Sequence, residues 1–246
     1  MMEEPAPQGW SEENSNTFID FGRYFIPERE SQLDMLCRLV PDQPNPPTLV
    51  ELCCGEGLLA EALLRRFPQA RLIAFDGSST MLNKARQRLE SFGSHFQLHE
   101  FDLAAHDWRN PTMRANAILS SLAIHHLTGE EKQVLFTDLY KMLAPGGVLV
   151  ISDLIMPASR QGITIAAEAW DAAVRHISLE LDNDLNVYKT FEELHWNMYR
   201  YNDADDIDHP SSLFEQLCWL ESAGFQQIDV YWLQAGHAIF GGSRLD

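Results

Sequence analysis

Val50-Glu-Leu-Cys-Cys-Gly-Glu-Gly-Leu-Leu-Ala60 places an acid and two glycines within an otherwise apolar run. Gly55 and Gly57 let a backbone turn tightly and approach a ligand with no Cβ in the way. Taken alone, Gly55-x-Gly57-x-x-Ala60 fits a dinucleotide fingerprint. It fits a ligand-free strand-to-helix turn as well. Glu51 separates these readings. A carboxylate buried in an apolar strand is costly unless it finds a donor. A ligand ammonium could supply one, directly or through water, whereas a pyrophosphate would be repelled. Asp76 closes the next apolar run, Leu72–Phe75, where a carboxylate can accept from both ribose hydroxyls. Asp102, in Glu100-Phe-Asp-Leu103, can accept from an adenine amino group. Leu103 would offer its backbone amide there, and Met81 would pack on the adenine face. Each acid alone reads equally well as a solvated group at a strand end. Three in succession, each matched to a different part of one ligand, read as a site for a nucleoside that carries an amino acid.

A second set of residues could serve another reactant. Ser120 and Ser121 end a fourth apolar run, and His125 and His126 follow. A histidine there can act as a base or touch the second reactant; the alternative is that the pair packs in the approach to the next helix. Trp170, Trp196 and Tyr199 supply rings, which suit a planar or cationic molecule or ordinary core packing. Trp196 and Tyr199 are three apart and would share a helix face. Arg200 is the plausible cation beside them. Arg23 and Tyr24 precede Ile26-Pro27 near the N-terminus. The cysteines, Cys37, Cys53, Cys54 and Cys218, lack metal-ligand spacing, so no metal is expected. They read as reduced thiols in a cytoplasmic protein.

The elements that must position these groups follow from periodicity. Met1–Asn16 reads as loose. Phe18–Val40 carries a helical pattern, with Leu33, Leu36, Leu39 and Val40 on one face, stopped by the proline-rich Pro41–Pro47. Strands are expected at 48–53, 71–75, 96–101, 115–121 and 148–153. Helices are expected at 57–67, 79–91 and 130–143. Ser78 or Ser79 would cap the second of these. This βαβα rhythm implies α/β architecture with a parallel sheet and helices on both faces. The rhythm then breaks into a mostly helical stretch, Ile163–Tyr201, and an acidic one, Asp203–Asp208. Ser211–Ala223 reads as an amphipathic helix ended by Gly224. The runs 227–233 and 237–240 lie so close that they can only form an antiparallel hairpin. The 246 residues suit one domain, 1–246, with an N-terminal helical segment at 18–47 and a helical lid at 157–210.

Composition narrows the partners. Net charge is −18, which argues against nucleic acid, since that binding rests on Lys and Arg neutralising phosphates. No apolar run approaches the roughly 20 residues of a membrane helix. Met1–Ser15 is acidic and polar, unlike a signal peptide.

The segments 50–60, 74–82, 100–103, 118–127 and 143–153 together resemble class I S-adenosylmethionine-dependent methyltransferases. The closing hairpin, 227–240, is similar too. The resemblance implies a Rossmann-like, seven-stranded, mostly parallel sheet of order 3-2-1-4-5-7-6, with strand 7 antiparallel. It implies S-adenosylmethionine as cofactor, S-adenosylhomocysteine as product, and methyl transfer to a small or medium-sized acceptor. Glu51, Cys53, Gly55, Gly57, Asp76, Gly77, Met81, Asp102, Leu103 and Ser120 become cofactor residues, with Tyr24 folding over the cofactor. His125 is the candidate catalytic group. Trp170, Trp196, Tyr199 and Arg200 are expected around the acceptor, with help from a second subunit if the chain is a homodimer. Cys53 stands where many members have glycine. A weaker resemblance reaches the bacterial tRNA uridine carboxymethyltransferase, which uses a carboxylated cofactor; Arg200 would have to hold the extra carboxylate. A catalytically silent cofactor-binding or dimerisation module and a nicotinamide oxidoreductase remain as alternatives.

Overall fold

The computed structural model describes residues 10–42, 45–201 and 207–245. Seven strands form one sheet in the order β3-β2-β1-β4-β5-β7-β6. They are β1 (Thr48–Leu52), β2 (Arg71–Asp76), β3 (Phe96–Glu100), β4 (Ala115–Ser121), β5 (Leu143–Leu154), β6 (Gln226–Gln234) and β7 (His237–Arg244). The first five are parallel, and β7 runs antiparallel to both β5 and β6. The expected order and the reversed strand are both present.

Alternate side chains of the central strands enter two cores, as a sheet covered on both faces requires. Val50, Leu52 and Ile118 pack with α5 (Gly129–Met142) and α8 (Leu213–Ala223). Leu49, Leu72 and Leu119 pack with α2 (Arg29–Leu39), α3 (Leu58–Arg66) and α4 (Ser79–Leu89). Glu51 shares the parity of Leu49 and so belongs to the α2 side of the sheet. The helix starts follow local chemistry. Ser78 caps α4 through the Met81 amide, and Thr128–Glu131 and Ser212–Glu215 form capping boxes on α5 and α8. Gly224, at φ +105°, ends α8.

Two expectations need correction. The N-terminal helix is not continuous over 18–40, and it begins within the stretch expected to be loose. It forms α1 (Glu12–Phe25) and α2, separated at Ile26-Pro27-Glu28. Pro27 disfavours helical backbone at Ile26, which is extended at φ −98°, ψ 116°. The ring-rich stretch forms α6 (Arg160–Asp182) and α7 (Asn186–Glu193), and turns follow. Trp196 and Tyr199 therefore lie beyond the helix and share no helix face. Of the acidic stretch 203–208, only Ile207 and Asp208 are described, and 203–206 lie outside the described residues. A third core joins this insertion to the sheet edge: Phe25 of α1, Leu154, Trp170, Val174, Phe191 and Tyr199. Among the described residues, no helix is long and apolar enough to cross a membrane.

Candidate active site

At the carboxyl edge of the sheet the chain leaves β1 through a strained loop. Cys53 has φ +53°, Gly55 +54° and Gly57 +85°. A non-glycine residue in that region carries about 1–2 kcal/mol of strain, which gives the glycine of related sequences a reason. Gly55 and Gly57 do different work. A Cβ on Gly55 would stand 3.8 Å from Met81 Sδ, beside a cavity, whereas one on Gly57 would press on Ala85 at 3.2 Å. Gly57 therefore serves the packing of α3 on α4, and Gly55 borders open space.

That space is a cavity of about 920 Å³. Cys53, Gly55, Asp76, Gly77 and Met81 line one side, and Phe101, Asp102 and Leu103 another. Asp76 is 7% exposed and organises the loop: Oδ2 accepts from Gly55 N at 2.7 Å and Oδ1 from Ser78 N at 2.9 Å. Burial raises its pKa, against the pull of those amides. Asp102 Oδ1 accepts from Ala104 N at 2.9 Å. Glu51 is 2% exposed and its Oε2 has no hydrogen-bond partner. Burial pushes its carboxyl up to about 8, with Arg29 opposing and Asp76 reinforcing the shift. Arg29, from the start of α2, donates to Ser121 Oγ at 2.6 Å. Ser121 lines the cavity, whereas Ser120 is fully buried and donates to Leu52 O at 3.3 Å.

Helix α1 closes this cavity from outside. Glu12 Oε2 accepts from Ser78 Oγ at 2.9 Å and Oε1 from Ser79 N at 3.1 Å, bridging to the start of α4. Trp10 and Phe18 line the cavity. Tyr24 is not in its wall; its hydroxyl donates to Asp182 at the end of α6, 3.2 Å away.

A second cavity, of about 230 Å³, adjoins the first, sharing Trp10, Phe18, Leu122 and Ile207 with it. Trp170, Trp196 and Tyr201 supply rings to its wall, and His125 and Asp208 supply charge. Trp170 is anchored by Nε1 donating to Phe25 O at 2.6 Å. Trp196 meets Trp10 edge-on at 6.3 Å. Tyr199 and Arg200 do not line it. The Tyr199 hydroxyl lies 2.7 Å from Ile155 O and 2.8 Å from Gly236 O, bracing the β6–β7 turn. Arg200 is exposed and paired with Asp171 (Nε to Oδ2 2.7 Å).

His125 is 5% exposed and held at both ring nitrogens. Nδ1 meets Asp153 Oδ1 at 2.5 Å, and Nε2 meets Asp208 Oδ1 at 3.3 Å. Asp153 Oδ2 also accepts from the His125 amide at 2.8 Å. Burial alone would lower the imidazole pKa; the two carboxylates overcome it and raise it to about 10. An imidazolium with both N–H groups engaged has no lone pair with which to take a proton. His126 Nδ1 reaches the same Asp208 Oδ1 at 3.0 Å. Burial, then the charge of His125, lowers the His126 pKa. Burial would raise the Asp208 pKa, but the two histidines hold it well below the usual carboxylate range. The ligating atoms of His125, His126 and Asp208 lie within 4.8 Å of one another, a spacing that could also hold a metal ion. The segment carrying Asp208 is fastened by Lys132, whose Nζ donates to His209 O at 2.5 Å and Ser211 Oγ at 3.0 Å. Sequence reasoning missed Trp10, Glu12, Arg29, Asp153 and Asp208 as site residues. Only Asp153, which ends a strand inside a quoted motif, carried a local signal.

Comparisons with known proteins meet this geometry. Residues 49–147 match the family described as "Methyltransferase domain". A trans-aconitate 2-methyltransferase of Acidovorax sp. (strain JS42) is 34% identical over 148 residues, covering 58% of this chain and 53% of that protein. Its namesake in Yersinia pestis (strain Pestoides F) is 36% identical over 133 residues, covering 54% and 47%. The chain spans about half the length of these relatives. Among solved structures, an O-methyltransferase family protein from Burkholderia thailandensis superposes with TM-score 0.66 at 16% identity, over 95% of this chain and 60% of that one. Human N-acetylserotonin methyltransferase in complex with SAM gives 0.61 at 16%, over 95% and 56%. At such identities the likeness is one of fold.

Proposed function

Because this chain carries a class I S-adenosylmethionine-dependent methyltransferase domain, we propose that it transfers the cofactor's methyl group to a small acceptor held in the ring-lined cavity. The observation that carries this reading is the pair of adjoining cavities with shared walls: a large one bordered by the glycine loop and the strand-end acids, and a small one bordered by rings.

The residues of the large cavity fit the cofactor. Glu51 does not line that cavity, but its Oε2, buried and unpartnered near the end of β1 behind the glycine loop, is the acceptor that an ammonium would satisfy. Asp76 and Asp102 in its wall are suited to accept from ribose hydroxyls and an adenine amino group, and Met81 in the same wall offers an apolar surface. When bound, S-adenosylmethionine supplies an electrophilic methyl on a sulfonium. The chain's own part is to orient and enclose. Glu12 ties α1 across the cofactor cavity, Trp10 and Phe18 shield both spaces from water, and Leu122 and Ile207 border both. Holding reactants in line is a large part of what catalysis of such a displacement requires. His125, engaged at both nitrogens, fits a positioning role: it fixes Asp208 against the acceptor space. The carboxylated-cofactor reading loses its cation, since Arg200 is spent on Asp171 outside both cavities.

The test is calorimetric titration of the purified chain with S-adenosylmethionine and S-adenosylhomocysteine, repeated on Asp76→Asn. Both should bind the parent chain. The variant should lose roughly five- to hundredfold in affinity, as expected for weakening hydrogen bonds to a buried carboxylate. Unchanged affinity in a folded variant would sink the assignment. Because Asp76 also holds Gly55, the fold is checked separately by thermal unfolding.

A further inference from the structure

We propose that the acceptor is an amine, recognised in the ring-lined cavity by the carboxylate of Asp208. The inference rests on the methyl-transfer reading and adds the chemical class of its second substrate.

The argument begins with charge. Among the described residues, no Lys or Arg lines either cavity. The residues outside the described set (1–9, 43–44, 202–206 and 246) include no Lys or Arg in the sequence. Of the histidines on the wall of the small cavity, His125 stands between two carboxylates, Asp153 and Asp208. Even with that imidazole protonated, the three groups leave one negative charge. His237, fully buried, has its pKa lowered to about 4 by burial and is neutral. A carboxylate-rich acceptor of the kind named for the relatives would enter this space with nothing to neutralise it. Bringing an unpaired anion into a small ring-lined cavity beside a carboxylate is unfavourable.

The walls favour the opposite charge. Trp10, Trp196, Trp170, Phe18 and Tyr201 surround the space in which Asp208 stands, its side chain 23% exposed. Ring faces combined with one carboxylate attract an ammonium by cation–π and ion-pair forces together. Neither the rings nor the acid is adventitious. Trp170 is anchored on Phe25 O, and Asp208 is held by two histidines on a segment that Lys132 fastens.

The reaction itself makes the same demand. The bound ammonium first loses a proton to water; the lone pair of the neutral amine then forms the new N–C bond while the S–C bonding pair stays on sulfur. The positive charge leaves the sulfonium and appears on nitrogen, and one N–H proton then passes to water. A carboxylate beside that nitrogen stabilises charge that develops only as the bond forms, which is where electrostatic stabilisation accelerates a step. An alcohol or phenol would instead have to become an alkoxide or phenolate, an anion that the Asp208 carboxylate would repel, and His125, occupied at both nitrogens, supplies no base.

Three probes of similar shape separate the cases: phenethylamine, 2-phenylethanol and hydrocinnamate. Each is titrated into the purified chain without cofactor, followed by tryptophan fluorescence and calorimetry. The ammonium should bind about tenfold more tightly than the alcohol, and the carboxylate more weakly still. Asp208→Asn should remove the preference for the ammonium and leave affinity for the alcohol nearly unchanged. Equal or tighter binding of hydrocinnamate, binding of none of the three, or a preference that survives in a folded Asp208→Asn chain would each overturn the proposal. Should the variant fail to fold, the ranking of the three probes on the parent chain decides. Titration with S-adenosylhomocysteine runs alongside. Its failure to bind would remove the methyl-transfer reading while leaving the charge preference of the small cavity measurable on its own.

Discussion

Glu51 links ligand binding to protonation. Burial holds its carboxyl at about 8, so at about pH 7 most of it carries a proton. Its folded-state value lies above the usual carboxylate range. The stability this contributes is therefore present in acid and lost as pH rises through about 8. An ammonium beside Oε2 favours the ionised form and lowers that value, so cofactor binding at about pH 7 should release a proton, approaching one per site. Calorimetry in buffers of different ionisation enthalpy reads this directly. Identical apparent enthalpies in all buffers would refute it, and Glu51→Gln should show no release. The wall of the large cavity was legible from local sequence for a physical reason. Gly55, Asp76, Met81 and Asp102 are fixed by where strands end, and periodicity reveals strand ends. Glu12 and Asp208 were not legible. Glu12 is an exposed first-turn acid of a surface helix, and Asp208 is one acid among several; only the tertiary approach of distant elements gives either one a partner. Tyr24 and Ser120 were placed by likeness of position. Trp10, just before α1, and Phe18 within it stand at the cavity instead, and β4 presents Ser121.

At the scale of elements, the insertion after β5 divides its rings between two tasks. Trp196 lines the small cavity, while Tyr199 is 8% exposed and clamps the β6–β7 turn. The clamp is close: a Cβ on Gly236 would lie 2.3 Å from the Tyr199 ring. Trp196→Ala should therefore cut acceptor turnover at least tenfold (about 1.4 kcal/mol of transition-state stabilisation) and leave cofactor affinity within about twofold. Tyr199→Phe should do the reverse, lowering stability by about 1 kcal/mol for the lost buried hydrogen bond with turnover preserved. Thermal unfolding together with steady-state kinetics on both variants checks the division, and a swap of the two phenotypes would contradict it. The helical nature of this stretch was visible in its composition, but its division of labour was not. Spacing of three residues assumes a continuous helix, and α7 stops at Glu193 before either ring is reached. The same limit applied at the N-terminus, where one proline outweighed an otherwise unbroken apolar stripe.

At the scale of the whole molecule, a net charge of −18 surrounds a site whose own lining is acidic. The sulfonium cofactor carries one more positive charge than its thioether product. Raising salt from about 0.05 to 0.5 M shortens the screening length severalfold. It should weaken S-adenosylmethionine binding several-fold more than S-adenosylhomocysteine binding, and parallel losses for the two ligands in calorimetry would count against an electrostatic role for the acidic lining. The order of the sheet has a different consequence, which concerns synthesis. Strand β5 ends at Leu154, yet the strand that covers its outer edge, β7, begins only at His237. At about 5–20 residues per second, roughly 5–20 s separate the emergence of the two. During that interval the ribosome-bound chain displays a long apolar edge of the kind that templates unwanted pairing. Helices α6, α7 and α8 are all synthesised inside this window, so the insertion that shapes the small cavity leaves the ribosome while the sheet beneath it is still unfinished.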